Sequence, residues 1–264
     1  MHLRSSSGYC RSRTLSVEAY KEQMAGPGKT LTALGSYWKG RKPLILNKAC
    51  ILGCLLPATD NPTRDLEILE KLMAMDDESL VIRWKRRPKP KEILATVSLR
   101  SISDYFTLEP EGVLPASGPV DWSNLNNDSV KVSWRADLSE LERRRLEAQM
   151  LPRLTYLDRV EQARRPEEVA DSVHAHIWDA VNAHLRTNAQ SLPELVEQLG
   201  IMRFGHRPRI ADTFSGSGQI PFEAARLGCE VYASDLNPVA SMLTVLALDG
   251  SGARSVEARR VTLA

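Results

Sequence analysis

Asp212-Thr-Phe214-Ser-Gly216-Ser-Gly218 places a carboxylate, an aromatic ring and two glycines at alternate positions, and Asp235 follows seventeen residues after Gly218. Residues of these types at this spacing suit a pocket for a nucleoside-bearing cofactor. Glycine lets the backbone turn sharply and brings no Cβ to the surface of a loop. An acid emerging at the end of the next strand accepts hydrogen bonds from ribose hydroxyls. The pattern departs from the dinucleotide fingerprint at Pro221, where a third glycine would be needed for close helix packing and room for a pyrophosphate. Asp212 points the same way, because a carboxylate beside the loop repels a phosphate dianion and attracts a cationic amino-acid group. S-adenosylmethionine carries both that group and a ribose. An NAD-dependent oxidoreductase is the disfavoured alternative.

These side chains need a scaffold, and the flanking residues predict one. Ile210 and Ala211 form a short apolar run that reads as a buried strand. Residues 220–227 read as a helix, with Pro221 tolerated in its first turn and Gly228 placed as its stop. Residues 229–234 alternate in polarity as a second strand, so that Asp235 emerges at its C-terminal end, where open α/β sheets bind ligands.

Asp212-x-Phe214-x-Gly216-x-Gly218 resembles the cofactor motif of amino-type DNA methyltransferases, and the run from Ile220 to Ala240 continues the likeness without a gap. More narrowly, the chain resembles adenine-specific DNA methylases that begin with a domain of unknown function, often carry a later zinc ribbon, and in some cases are associated with anti-phage systems. Tyr37-Trp38-Lys-Gly-Arg41-Lys-Pro43-Leu44 is similar to that family's N-terminal W-W-A-R-R-P-L element; Trp38, Arg41, Pro43 and Leu44 match it, and Lys39 and Gly40 depart from it. The likeness spans residues 31–243 loosely and 208–240 closely. It implies an α/β chain with a partial Rossmann-like S-adenosylmethionine-dependent methyltransferase fold, preceded by a mainly helical N-terminal region with a small strand-rich insert. By the same resemblance, Asp212, Phe214, Gly216, Gly218 and Asp235 are cofactor contacts, the substrate is DNA, and the reaction is transfer of a methyl group to adenine N6.

Methyl transfer to an exocyclic amine calls for Asn or Asp followed by Pro-Pro-aromatic, and no such tetrapeptide occurs in the sequence. Asn61-Pro62 and Asn237-Pro238 each lack the second proline and the aromatic. A unit of two parallel strands cannot bury both faces or satisfy its edges. The expectation is therefore an N-terminal, C-terminally truncated portion of a longer methylase, or one partner of a split enzyme with a second polypeptide or downstream segment supplying the rest. No catalytic residue is assigned. A DNA-associating or assembly subunit without chemistry of its own is the alternative. The tail 249–264 loses apolar periodicity, as a sequence read past a frameshift would.

Composition sets the remaining bounds. The 264 residues are 42% hydrophobic and 26% charged with a net charge of +2, ordinary for a globular chain. Apolar runs fall far short of a membrane span and no secretory apolar core follows the Ser- and Arg-rich start, so a cytoplasmic protein is expected. Four cysteines without a C-x-x-C pair encode no zinc ribbon. Arg83-Trp84-Lys-Arg-Arg-Pro-Lys-Pro-Lys91 reads either as a stiff, solvated linker or as a run that tracks phosphates. Gly26-Pro-Gly28-Lys29-Thr30 lacks the first glycine and the strand of a phosphate loop. His174, His176 and His184 are spaced wrongly for one metal. The expected organisation is a disordered lead-in at 1–30, a helical domain at 31–92, the strand-rich insert at 93–136, a helical region at 137–200, the start of the methyltransferase domain at 201–248 and an irregular tail at 249–264.

Overall fold

The computed structural model describes residues 6–26, 31–32, 38–96, 102–109, 131–150, 154–169 and 174–250. Residues 27–30, 110–130 and 251–264 are among those that lie outside them. The fold mixes many helices with two small sheets. In chain order the elements are α1 Ser6–Gln23, α2 Leu44–Leu55, α3 Pro62–Leu72, α4 Asp77–Arg83, α5 Pro90–Thr96, β1 Phe106–Glu109, β2 Lys131–Trp134, α6 Glu140–Met150, α7 Tyr156–Gln162, a 3-10 turn at Pro166–Glu168, α8 Trp178–Leu185, α9 Leu192–Phe204, β3 Arg209–Asp212, α10 Gln219–Arg226, β4 Glu230–Ala233 and α11 Pro238–Gly250. None of the described helices is long and apolar enough to cross a membrane.

Two compact units divide the chain: Met1–Ser79 with Arg164–Ala264, and Leu80–Ala163. The first joins the N-terminal helices to the glycine-loop segment through one core. Leu52 and Leu55 of α2, Ile68 and Leu72 of α3, Val181 and Leu185 of α8, and Leu195, Val196 and Leu199 of α9 pack with Ala224 and Leu227, and Ile210 and Val231 of the β3–β4 sheet close on the same cluster. Helix ends follow local chemistry. Asn61 caps α3 by accepting a hydrogen bond from the Arg64 amide with Pro62 next in line, so the Asn61-Pro62 break is a helix start. Ser191 caps α9, which stops at Gly205 in the left-handed conformation.

The lead-in expected at 1–30 contains helix α1, and its Glu18, Ala19 and Glu22 are buried. No apolar periodicity announces it; long-range contacts hold it. Pro43 offers α2 no side-chain cap, and the Glu22 carboxylate takes that role by accepting from the amides of Leu44 at 2.8 Å and Ile45 at 3.2 Å. Burial pushes the Glu22 carboxyl up from 4.5 to about 7, with the nearby Glu167 charge adding to the shift. The folded chain therefore keeps a proton that the unfolded chain releases. The resulting stability is complete below pH 4.5 and is lost as pH rises through about 7. Burial acts in the opposite direction on His174, pushed down from 6.5 to about 4, whose stability contribution is lost as pH falls. Subtracting the denaturation midpoints of Glu22→Gln from those of the wild type across this range isolates Glu22. The difference is expected to move against the wild type as pH rises, and a flat difference would remove Glu22 as the source.

In the second unit, β1 and β2 pair antiparallel, Phe106 lies opposite Trp134 and their rings stack at 4.8 Å. Ile93, Leu94, Phe106 and Leu146 form a small core under them. Where the alternation at 95–99 predicts a strand, Ala95 and Thr96 complete helix α5. Pro90 suits a first helical turn, and the Glu92 carboxylate, accepting from the Lys89 amide, fixes the helix start. Strand β1 takes the pairing instead. Ser139-x-x-Glu142 has the pattern of a capping box, and the two residues form one ahead of α6.

The basic run at 83–91 is folded into this unit. Trp84 bridges to Ala163 and the Lys85 amide donates to the Gln162 carbonyl. Arg86 forms a bidentate pair with Glu92, and Arg87 reaches both Glu140 and the buried Glu147. Two of the cations that would track phosphates thus have acidic partners in the chain. Glu92 lies six residues from Arg86, whereas Glu140 and Glu147 lie 53 and 60 residues from Arg87, beyond the reach of any local pattern.

Candidate functional site

Strands β3 and β4 run parallel, with Asp212 paired to Ala233. The Ser234 amide donates to the Asp212 carbonyl and the Ser215 amide to the Ser234 carbonyl, so the loop and the end of β4 are tied together. Beyond them the Asp235 carboxylate accepts from the Gly216 amide at 2.8 Å through one oxygen and from the Asn237 amide at 2.9 Å through the other. The Asn237 and Gly216 N–H groups hold the Asp235 carboxyl below its ordinary range. Each oxygen keeps a second lone pair for a ligand hydroxyl. Asp212 folds back on its own loop, its Oδ1 accepting from the Phe214 amide at 3.2 Å. Phe214 is 77% exposed.

Both loop glycines sit in the left-handed region, at φ +54° for Gly216 and +76° for Gly218. Their bare sides are occupied from within the chain. A Cβ on Gly216 would lie 2.8 Å from Trp38 Nε1, and one on Gly218 would lie 2.8 Å from Thr244 Cα of α11. Thr244 also shares a 3.0 Å hydrogen bond with Ser215. Helix α10 starts at Gly218 and buries Pro221 in its first turn, as expected of a proline there.

The five residues expected to hold a cofactor fall into two sets. Gly216, Gly218, Asp212 and Asp235 gather at adjoining strand ends; Phe214 donates its amide to Asp212 and its side chain is exposed. Spacing in the sequence does not reveal Thr32 and Thr244, whereas Trp38 stands in the N-terminal element that the resemblance marks. Thr32 Oγ1 donates to Gln219 Oε1 at 2.8 Å across 187 residues of sequence, a contact that carries no local signal.

The donor set fits the group inferred from the sequence. Asp212 in the stretch 212–219 and Asp235, bonded to it through Gly216, give two carboxylates, and the stretch holds no Lys or Arg, which matches a ligand with a cationic amine and a ribose and opposes a pyrophosphate. The histidines serve the packing around α8: His174 Nε2 meets the Leu72 carbonyl, His176 meets Asp76 and His184 meets Asp65.

A family model described as a protein of unknown function (DUF1156) matches residues 13–72. This is an N-terminal domain of unknown function, beginning earlier than expected and covering most of α1 together with α2 and α3. No curated protein and no solved structure matches the chain.

Proposed function

We propose that residues 209–250 form the S-adenosylmethionine-holding part of a DNA methyltransferase acting on adenine N6, with the start of a Rossmann-like sheet in β3 and β4. The observation that carries this reading is the pairing of Asp235 with the Gly216 amide, which sets an ionised carboxylate beside a glycine turn at the ends of parallel strands. Asp235 would take the ribose hydroxyls and Asp212 the ammonium group. When bound, the cofactor supplies an electrophilic methyl group. The residues of this chain bind and orient; the amine-holding tetrapeptide is not among them, so it would come from a second polypeptide or a further segment.

Surface character supports such a partner. Ala211 and Tyr232 lie side by side on a bare sheet face, and Val239, Met242 and Leu246 form an exposed stripe along α11. Parallel sheets bury both faces. DNA as substrate rests on the motif resemblance, since Arg86 and Arg87 of the basic run are already paired.

Ultraviolet crosslinking with methyl-labelled S-adenosylmethionine tests the reading. Label in the peptide spanning 210–226, competed by S-adenosylhomocysteine and not by NAD, is expected. Absence of label there, or competition by NAD alone, would refute it.

A further inference from the structure

A cavity of about 330 Å³ opens within the Leu80–Ala163 unit, between the basic run and α7. Trp84, Pro88, Met150 and Leu154 make most of its wall apolar. Its polar groups are few: the Arg86–Glu92 pair, Asp158 and Gln162. Size and lining are those of a small-molecule site. The backbone fixes the aromatic wall, because Trp84 bridges to Ala163 and the next amide, that of Lys85, donates to the Gln162 carbonyl.

The lining selects a ligand by its chemistry. Trp84 is 8% exposed, and its indole Nε1–H has no hydrogen-bond partner among the described residues. An indole N–H can only donate, and a buried donor left unmet is costly, so an acceptor on a ligand is favoured there. The Arg86 guanidinium is engaged by Glu92 through bonds of 3.0 and 2.7 Å, so the charge left uncompensated on the lining is the Asp158 carboxylate. Asp158 accepts from the Thr155 hydroxyl at 2.6 Å and the Thr155 amide at 3.2 Å, both through Oδ2, which leaves Oδ1 to accept from a ligand. Such a carboxylate attracts an amine and repels a phosphate.

We propose that this cavity is a second binding site, for a phosphate-free planar heterocycle that carries an amino group beside a ring nitrogen. The ring nitrogen accepts from Trp84 Nε1–H and the amino group donates to Asp158. Adenosine and cytidine have that edge. Uridine lacks it, because its ring nitrogen carries a proton and a carbonyl stands in place of the amine. The site lies outside the unit that holds the glycine loop and does not depend on the cofactor reading. It also gives the basic run a task other than tracking phosphates, since Arg86 neutralises Glu92 while Trp84 and Pro88 wall the cavity.

Hydrogen exchange on the wild-type chain with adenosine, cytidine, uridine and adenosine monophosphate tests this. Saturable protection of amides in 84–92 and 155–162 by adenosine or cytidine, with none from uridine or the monophosphate, is expected. Protection of these segments by neither aminated nucleoside overturns the proposal, even where 210–219 is protected. Equal protection by uridine or by the monophosphate overturns it too, the latter pointing to a nucleotide or a nucleic-acid strand. Trp84→Phe keeps an aromatic wall and removes the donor. It should weaken binding roughly fivefold, the loss of one neutral hydrogen bond, at an unchanged melting temperature. A folded Trp84→Phe protein with undiminished affinity overturns the proposal, and if that variant does not fold the wild-type exchange pattern decides.

Discussion

Asp235→Ala should lower the affinity for S-adenosylhomocysteine roughly ten- to a hundredfold, the loss expected when one charge-assisted hydrogen-bonding group of about 1.5–3 kcal/mol is removed. Two effects add. The carboxylate ties the Gly216 amide to the start of α11 through Asn237, so its removal releases the turn that the ligand meets. Its spare lone pairs are also the acceptors for the ribose hydroxyls, and alanine offers none. Asp235→Asn separates the parts. It keeps an oxygen for one amide but loses the charge, and should fall between the wild type and Asp235→Ala. A fluorescence titration of the three proteins reads the series; equal affinities would remove Asp235 from the site.

Gly218→Ala should be the most destabilising single methyl addition in the loop. At φ +76° an L-residue costs ~1–2 kcal/mol, and the added carbon would meet Thr244 Cα at 2.8 Å, a backbone atom that moves only with α11. Overpacking of this kind adds ~1–3 kcal/mol. The sum, roughly 2–5 kcal/mol, is a large part of the ~5–15 kcal/mol that holds a domain folded. Gly53→Ala is the control, because Gly53 lies in α2 with nothing within 4 Å of its would-be Cβ. Alanine in a helix interior should stabilise by ~0.5–1 kcal/mol. Thermal melts of the two variants are expected to move in opposite directions from the wild type, and a Gly218→Ala melt at or above the wild-type value would contradict the packing of α11 on the loop.

What could be read from the sequence was local. The alternation before Asp235, the glycines before α10 and the Ser139-x-x-Glu142 capping box each depend on neighbours within a few residues, and each appears where its pattern places it. What escaped depended on distant partners. Helix α1 is held by Glu22 at the start of α2 and not by a periodic apolar face. Arg87 reads as available for phosphate until Glu140 and Glu147 of α6 meet it. The residues around Trp38 suit anchoring a helix as well as closing a pocket, and its contact with Gly216 links two segments that no sequence window contains together. The insert also grew, from a strand pair at 93–136 to a unit spanning Leu80–Ala163, because α5, α6 and the basic run pack with the strands.

Isothermal calorimetry of the wild-type chain with S-adenosylhomocysteine and, separately, with NAD bears most directly on whether paired acids around a bare turn hold a methyl donor's nucleoside. Saturable heat with one equivalent of S-adenosylhomocysteine and none with NAD is the expected outcome. Heat with NAD alone, or with neither ligand, would contradict it.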